Sequence, residues 1–209
     1  PHLVWRNELY GFYQDPQLHH PLFALERGVI PLLGLPAYGT HINGYIHSDE
    51  GIKIWVARRS KSKAIAPLRL DQMVAGGLSY QQSITENVRR EALEEAMIPL
   101  TMTKTVQLNQ IISYQVEEKQ MIRNDRLFSF DLELPKDFFP HNGDGEVEAF
   151  YLLTVDELID ALSAQTPPLF KENSALIFID FLMRHHLIPK TTPHYTIIKK
   201  ELNRLRLPI

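Results

Sequence analysis

Three carboxylates near the middle of the chain have a spacing that could bind a metal ion. Glu91, Glu94 and Glu95 stand at i, i+3 and i+4, so a helix would project all three from one face. Like charges at this spacing destabilise an isolated helix by about 0.2–0.5 kcal/mol per pair, and the helix dipole disfavours anions near its C-terminal end. A divalent cation would offset this repulsion, because Mg²⁺ and Mn²⁺ prefer oxygen ligands. We therefore predict a metal centre on this face.

Two glycines lie shortly before the carboxylates. Gly76 and Gly77 end a segment of strand character, and a short turn separates them from the acidic helix. Glycine lets the backbone approach a ligand closely and leaves its carbonyl oxygen free to coordinate a metal. Alone, an acidic helix face is more often an ordinary solvated surface, and a glycine pair is an equally weak signal. Together at this spacing, they favour a single site made of a strand, a glycine loop and a carboxylate helix.

The helix that must carry the carboxylates has clear start and stop signals. Ser83 and Glu86 form a capping box, and the helical pattern runs to about Met97 before Pro99 ends it. The face opposite the carboxylates is apolar, which predicts that it is buried against a sheet.

The remaining elements are mixed, which predicts an α/β or α+β fold. Apolar residues in strand-like patterns predict strands at 41–47, 52–59, 68–77, 105–117, 126–134 and 147–153. Three further helices are expected. Two begin after the capping residues Thr154 and Asn173, and the third begins at about Thr192. The first forty residues, rich in aromatic residues and proline, are expected to be ordered only by packing on other parts of the protein.

Composition excludes several classes of function. The 22 Lys and Arg residues against 25 Asp and Glu residues give a net charge of −3, which argues against a nucleic-acid partner. No apolar segment approaches the ~18 residues of a membrane span, so no membrane partner is expected. The absence of cysteine excludes disulfides, thiolate zinc sites and cysteine nucleophiles. It also fits a reducing compartment, and we expect a cytoplasmic location.

The acidic segment resembles the Nudix box, G-x5-E-x7-R-E-U-x-E-E-x-G-U, in which U is a bulky aliphatic residue. Matched to this box, its conserved positions fall on Gly76, Arg90, Glu91, Glu94, Glu95 and Ile98. Three positions depart from the pattern: Gln82 replaces the first glutamate, Ala92 the first aliphatic residue and Met97 the late glycine. Because Gln82 removes one negative charge, we expect the site to bind fewer metal ions, or to bind them more weakly.

A wider resemblance, to the thiamine-pyrophosphokinase-related Nudix subfamily, covers nearly the whole chain. It is carried by segments that include YGTHINGY (38–45), IWVARRSKSK (54–63), LDQMVAGG (70–77), FDLELPKDFFPHNGDGEVEAFYLL (130–153) and FKENSALIFIDFLMRHHLIP (170–189). It implies an α/β/α sandwich around a mixed sheet, with a lead-in at 1–37, a Nudix domain at 38–165 and a C-terminal helical extension at 166–209. Members typically carry another domain upstream, in agreement with a chain that starts at Pro1 rather than Met.

The resemblance also implies the residue roles. Nudix enzymes use Mg²⁺, or Mn²⁺, to hydrolyse a diphosphate. The implied metal ligands are Glu91, Glu94, Glu95 and the Gly76 carbonyl oxygen, and the implied catalytic residues are Arg90, Glu91, Glu95, Glu146 and Glu148. Arg90 would hold Glu91 by a charge-assisted hydrogen bond. Because the general base often lies outside the box, Glu146 and Glu148 are its candidates.

The expected partner is a small-molecule diphosphate, and members of the family often form homodimers. The subfamily resemblance points to thiamine diphosphate or its oxidised analogues, cleaved to the monophosphate and phosphate. Trp55, Tyr114 and Phe128 could stack on the thiamine rings, although core packing is the more common role for such residues.

Other functions remain open. A nucleotide or nucleotide-sugar pyrophosphatase, for example one acting on ADP-ribose, would use the same box, and a non-catalytic Nudix sensor is a further alternative. The isomerase branch of the fold needs a cysteine that this chain lacks. Thiamine pyrophosphokinase activity is not expected, since no P-loop is present.

Overall fold

The computed structural model describes residues 5–15, 18–118, 120–164 and 169–209. Near its N-terminal end, β1 (Leu9–Tyr13) and β2 (Pro21–Glu26) pair antiparallel as a separate two-stranded sheet. Phe12 stacks on Phe23 across this pair, with 4.8 Å between the ring centroids. A short 3₁₀ helix at Arg27–Leu32 connects the pair to the main sheet. The aromatic lead-in therefore forms a hairpin of its own.

A mixed sheet is the centre of the molecule. Its strands are β3 (Pro36–Ser48), β4 (Gly51–Arg59), β5 (Leu70–Gln72), β6 (Val74–Gly77), β7 (Gln107–Glu118), β8 (Met121–Glu133), β9 (Val147–Thr154) and β10 (Arg206–Leu207). The main path runs β10-β7-β8-β3-β4-β5, while β6 pairs with β3 and β9 pairs with β4. The β3–β8 pair is parallel and the other pairs are antiparallel.

Helices cover both faces of this sheet. They are α1 (Ile84–Ala96), α2 (Val155–Ser163), α3 (Glu172–Arg184) and α4 (Tyr195–Leu205). Along β4, Trp55 joins the apolar cluster that contains α1, whereas Ile54 and Val56 join the cluster formed with α2 and α3. Because neighbouring residues of a strand point to opposite faces, α1 lies on one face and α2 and α3 on the other. The predicted α/β/α sandwich is confirmed. No helix of the described ranges is long and apolar enough to cross a membrane.

Several element boundaries differ from the sequence prediction. The single strand predicted at 68–77 is two strands, because β5 pairs with β4 and β6 pairs with β3. Strand β8 starts earlier than predicted, since residues 121–125 pair with the end of β7. Asn173 does not cap α3, which begins after Lys171 and buries Asn173 in its first turn. The boundary predicted between residues 165 and 166 lies outside the described residues.

A charge network ties the C-terminal elements to the sheet. Asp131 of β8 accepts two hydrogen bonds from the Arg184 guanidinium, at 2.5 and 3.0 Å, and lies 2.9 Å from the Nε2 atom of His185. Asp180, which is fully buried, accepts from Arg184 Nε at 2.7 Å and from Arg206 Nε at 2.8 Å. One arginine thus bridges two buried acids, and Arg206 anchors β10 to α3.

Candidate active site

The carboxylate helix α1 is held at both ends. The Ser83 hydroxyl accepts a hydrogen bond from the Glu86 backbone N–H at 3.2 Å, and the Glu86 carboxylate accepts one from the Ser83 N–H at 2.9 Å. This is the predicted capping box. Val88 and Ala92 are buried in the apolar cluster of the sheet. The helix ends at Met97, whose φ of 52° is left-handed. Its buried face sets the rotation of the helix, which decides where the three glutamates point.

Glu91 lies directly against the glycine strand β6. It is 7% exposed, and a Cβ added to Gly76 would overlap the Glu91 carboxyl group. The close approach of this acid to the backbone therefore requires glycine at position 76. Strand β3 pairs with β6 beside this site. A Cβ added to Gly39 of β3 would lie 3.3 Å from the Gly76 carbonyl oxygen.

Glu95 is one helical turn further on and is buried as well. It accepts a hydrogen bond from the Ala75 backbone N–H at 2.7 Å. Burial, and then the nearby charge of Glu91, raise the pKa of Glu95 to about 8. Burial also raises the pKa of Glu91, although the charge of Arg90 opposes this rise. Two buried acids side by side cannot both ionise easily unless positive charge is added between them.

Arg90 braces the acidic face of α1. Its guanidinium donates to Glu91 at 2.5 Å, to Glu94 at 2.6 Å and to the Asn87 side-chain oxygen at 2.8 Å. The predicted hydrogen bond between Arg90 and Glu91 is therefore present in the structure. Glu94 differs from its two neighbours, because its side chain is 44% exposed. Arg90 thus orients one buried and one accessible carboxylate at once.

The loop after β8 is tied to the C-terminal end of α1. The backbone N–H groups of His141 and Gly143 donate to the carbonyl oxygens of Ala96 and Glu94, at 3.2 and 3.0 Å. A Cβ on Gly143 would come within 2.7 Å of the Glu94 carbonyl oxygen, so the loop approaches as closely as it does because residue 143 is glycine. These contacts bring Glu146, at the end of the loop, to the acidic helix.

The two candidate bases occupy different places. Glu146 lines a small pocket together with Glu95 and forms an ion pair with Lys63. Glu148 does not line this pocket, and its carboxylate lies 3.2 Å from Arg58 Nε at the β4–β9 pairing. The structure therefore brings Glu146 to the acidic cluster and leaves Glu148 outside it.

Sequence reasoning did not identify the charged residues on the other side of this pocket. Buried Asp71 accepts hydrogen bonds from Arg59 at 2.7 Å and from Lys171 at 3.3 Å. Although burial raises the pKa of Asp71, the charges of Lys171 and Arg59 lower it well below its usual range. Only the position of a charged residue within an apolar strand could have indicated Asp71. The order of the chain alone gives no signal for Lys63, because its partner Glu146 is distant in sequence.

The lead-in hairpin also reaches the glycine loop. Tyr10 is buried, and a Cβ on Gly77 would overlap its hydroxyl group. The Arg27 guanidinium lies 5.2 Å from the centre of the Tyr10 ring and donates to Glu8 at 2.7 Å. The hairpin thus forms one edge of the site, which the sequence did not predict.

The aromatic residues considered for ring stacking have structural surroundings. Trp55 and Phe128 are buried in the main apolar cluster, at 5% and 2% exposure, so neither presents a ring face to a ligand. Tyr114 packs on a smaller cluster and donates its hydroxyl hydrogen bond to Asp125. Core packing, expected as the more common role, is therefore the role of Trp55 and Phe128, and their rings are not free to stack on a ligand.

The acidic face of α1 carries carboxylate oxygens that could bind a divalent cation. In the structure these oxygens accept hydrogen bonds from other groups of the protein. Within the described ranges, no three Asp, Glu or His side chains lie close enough together to hold a metal ion. Arg90 donates to Glu91 and Glu94, and the Ala75 N–H donates to Glu95, so each of the three carboxylates is hydrogen-bonded within the protein. The donor chemistry nevertheless fits Mg²⁺, because Glu91 and Glu95 are buried carboxylates and the charge of Glu91 raises the pKa of Glu95.

Comparison with known proteins places this geometry in context. The family model described as NUDIX domain matches residues 38–172. Nudix hydrolase 24, chloroplastic, of Arabidopsis thaliana is 37% identical over 198 residues, which are 94% of this chain and 53% of that protein. Nudix hydrolase 20, chloroplastic, of the same plant is 38% identical over 201 residues, 95% of this chain and 53% of that protein. The chain thus spans about half the length of these relatives.

Solved structures share the fold. The DR0079 protein of Deinococcus radiodurans has a TM-score of 0.57 and 18% identity, over 82% of this chain and 98% of that chain. The NUDIX domain of Shewanella oneidensis NrtR, complexed with ADP ribose, has a TM-score of 0.53 and 13% identity, over 72% and 88% of the two chains. At these identities the likeness shows the fold alone.

Proposed function

Because the chain belongs to the Nudix family, we propose that it hydrolyses a diphosphate linkage in a small molecule, with a divalent cation held at α1. The observation that carries the proposal is the pair of buried acids, Glu91 and Glu95, held against the glycine strand β6. Burying two like charges side by side is costly for a merely structural element. The arrangement is reasonable where a cation binds between them.

The residues of this chain then have the following roles. Glu91, Glu94 and Glu95 offer carboxylate oxygens to the cation, and Gly76 offers its carbonyl oxygen. Arg90 keeps Glu91 and Glu94 in place through its hydrogen bonds of 2.5 and 2.6 Å. When bound, Mg²⁺ supplies charge neutralisation for the diphosphate and lowers the pKa of a coordinated water.

Glu146 is the proposed general base. Its carboxylate lines the same pocket as Glu95, and its side chain is 47% exposed, so a water molecule can reach it. The base accepts the proton of the attacking water as the new oxygen–phosphorus bond forms and the bond to the leaving phosphate breaks. Glu148, the second candidate, is paired with Arg58 outside the pocket.

For the substrate, we propose thiamine diphosphate or an oxidised analogue such as oxothiamine diphosphate, cleaved to the monophosphate and phosphate. The support is the resemblance of nearly the whole sequence to the thiamine-pyrophosphokinase-related subfamily. The second candidate is ADP-ribose, because the NUDIX domain of NrtR shares this fold and its structure is a complex with ADP ribose.

The test is hydrolysis with Mg²⁺ of a panel that contains thiamine diphosphate, oxothiamine diphosphate, ADP-ribose and a nucleoside triphosphate. Glu95→Gln removes a carboxylate that is proposed to bind the cation, so it should lower turnover at least ~100-fold. At 1.36 kcal/mol per decade, this corresponds to a loss of about 3 kcal/mol of transition-state stabilisation. Glu146→Gln should lower kcat strongly, whereas Glu148→Gln, its matched control, should stay within about twofold of the wild type.

Each outcome has a clear reading. Turnover of the thiamine compounds that is lost in Glu95→Gln supports both the site and the substrate. Turnover of ADP-ribose or the triphosphate alone keeps the site and contradicts the thiamine proposal. Mg²⁺ binding without turnover of any compound would favour the non-catalytic sensor.

Two further parts of the proposal concern the whole protein. We propose that the lead-in, a Nudix domain over residues 38–165 and the C-terminal extension are the units of the chain, and that it forms a homodimer. The cytoplasmic location stays a prediction from composition, because both plant relatives are named as chloroplastic.

A further inference from the structure

Lys63 lies on the loop that joins β4 to β5, and its ammonium group faces the acidic cluster. The Nζ atom forms an ion pair with the Glu146 carboxylate, and the Lys63 side chain is only 20% exposed. Lysine side chains usually remain in water, so a mostly buried lysine beside a candidate active site requires a reason.

The loop around Lys63 is held firmly by the buried residue Arg59. The Arg59 guanidinium donates to the carbonyl oxygens of Ile65 at 2.9 Å and Ala66 at 3.1 Å, and to the Asp71 carboxylate at 2.7 Å. The backbone N–H of Ser60 donates to the Glu146 carbonyl oxygen at 2.9 Å. The position of Lys63 is therefore built into the fold by contacts at both ends of the loop.

Acids surround this ammonium group. Besides Glu146, the carboxylates of Glu95, Asp71 and Glu91 are near enough to interact electrostatically with Lys63. The other positive groups near these acids are already paired, Arg59 and Lys171 with Asp71 and Arg90 with Glu91 and Glu94. Through its ion pair with Glu146, which lines the pocket, Lys63 is thus a positive group beside the acidic cluster.

We propose that Lys63 is a diphosphate-binding residue, which donates hydrogen bonds from Nζ to a phosphate oxygen of the substrate. An ammonium group is a compact charge with three donors, and lysine is an established phosphate ligand in proteins. It exchanges its partner Glu146 for the phosphate, which leaves that carboxylate free to accept a proton. The inference rests on the proposed diphosphate hydrolysis and adds a substrate contact to it.

Gln82 gives the chain a specific need for this residue. The box position that usually carries a carboxylate holds a neutral amide, whose oxygen lies 3.5 Å from Arg90. With one acid fewer, the site attracts less metal charge to a substrate that carries several negative charges. The ammonium group of Lys63 supplies part of the missing neutralisation.

The neighbouring basic residues are not equivalent to Lys63. Lys61 is exposed, and no hydrogen bond or ion pair joins it to another residue in the described part of the chain. Arg58 is paired with Glu148 away from the pocket. Lys61 therefore provides a matched control on the same loop, with the same charge.

The experiment is a calorimetric titration with methylenediphosphonate, a diphosphate analogue that is not hydrolysed, in the presence of Mg²⁺. We expect Lys63→Met to weaken binding at least tenfold, Lys63→Arg to restore part of it, and Lys61→Met to stay within twofold of the wild type. Equal affinity of the wild type and Lys63→Met would overturn the inference.

A second measurement uses the unmodified protein, so that it does not depend on the folding of a variant. Acetylation of lysines by a soluble reagent, followed by mass spectrometry, should slow at Lys63 when Mg²⁺ and the diphosphonate are present and should not change at Lys61. Equal labelling of Lys63 with and without the analogue would contradict the proposal.

The failures of the two proposals can be distinguished. A wild-type protein that neither binds the diphosphonate nor hydrolyses any diphosphate would overturn the proposed function and the role of Lys63 with it. A wild-type protein that hydrolyses a diphosphate, with unchanged KM in Lys63→Met, would overturn only the role of Lys63.

Discussion

At the scale of single residues, the protonation of two buried acids governs the site. Glu95 has a pKa of about 8, so the metal-free protein holds a proton there that a cation must displace, and burial raises the pKa of Glu91 as well. Metal affinity should therefore rise with pH through the neutral range. The same proton connects the site to the stability of the fold.

The metal-free protein should lose stability between about pH 6.5 and pH 8. The pKa of a glutamate in the unfolded chain is ordinarily 4.5, whereas the pKa of Glu95 in the folded protein is about 8. The folded state therefore binds an extra proton in this range, and each rise in pH weakens it. The slope is at most about 1.4 kcal/mol per pH unit for one proton. Denaturation by guanidinium in EDTA at several pH values measures it.

Below pH 6.5 a second buried group acts in the opposite direction. Burial, and then the charge of Lys171, lower the pKa of His41 to about 4, so its contribution to stability grows as the pH rises from 4 to 6.5. The control is therefore Glu95→Gln compared above pH 6.5, where its stability should no longer fall with pH. Equal slopes for this variant and the wild type would show that Glu95 is not the group responsible.

At the scale of elements, the end of α1 departs from the usual box in a way that the backbone explains. The late glycine of the box corresponds to Met97, and Met97 has a left-handed φ of 52°. The Met97 N–H donates to the Leu93 carbonyl oxygen at 3.1 Å, as expected where a helix ends on a left-handed residue. Glycine adopts this conformation without strain, and methionine does not.

Met97→Gly should therefore stabilise the protein. We expect the free energy of unfolding to rise by about 0.5–1 kcal/mol. Glycine relieves the left-handed strain, and this gain is reduced by the lost side-chain packing and by the greater entropy of the unfolded glycine chain. In a chain of this size, this corresponds to about 1–4 °C in Tm. Met97→Ala separates the two effects, because it loses the side chain but keeps the strain. A glycine variant that melts below the alanine variant would contradict the argument.

The sequence predicts elements well where their signals are local. The capping residues Ser83 and Thr154 mark the start of α1 and α2, and the structure confirms both capping boxes. It fails where distant pairing decides the boundary. Segment 68–77 becomes two strands because β4 and β3 each take one part, and no pattern within the segment contains that information.

At the scale of the whole molecule, the same limit applies to the site. The spacing of Gly76, Glu91 and Glu95 reveals the part of the cluster that forms within one strand, loop and helix. Lys63 and Glu146 meet only because β9 pairs with β4, so their contact could not be predicted from spacing. The hairpin residue Tyr10 was missed for the same reason.

The C-terminal charge network should contribute measurably to global stability. Arg206→Met removes one of the two arginine partners of the fully buried Asp180. We expect the free energy of unfolding to fall by about 1–3 kcal/mol. This is less than the full cost of an unpaired buried charge, because Arg184 still pairs with Asp180. The matched control is Arg204→Met. Arg204 is 62% exposed and pairs with exposed Glu201, so its loss should change stability by no more than about 0.5 kcal/mol.

Urea denaturation of both variants gives the comparison. Equal midpoints for Arg206→Met and Arg204→Met would show that the network does not hold the C-terminal strand against the sheet. Hydrolytic activity, measured below the transition, should be similar in both variants, since neither arginine lies at the acidic helix.

The parallel pairing of β3 with β8 has a kinetic consequence. Residues 36–45 must find residues 124–133 across a long stretch of chain, and proteins rich in such distant contacts fold slowly. The glycine strand and the acidic helix can meet early, because a short turn joins them. The ammonium group of Lys63 reaches Glu146 only after β9 has docked. During folding, we therefore expect the glycine strand and the acidic helix to assemble first, and the contact between Lys63 and Glu146 to form in one of the last steps.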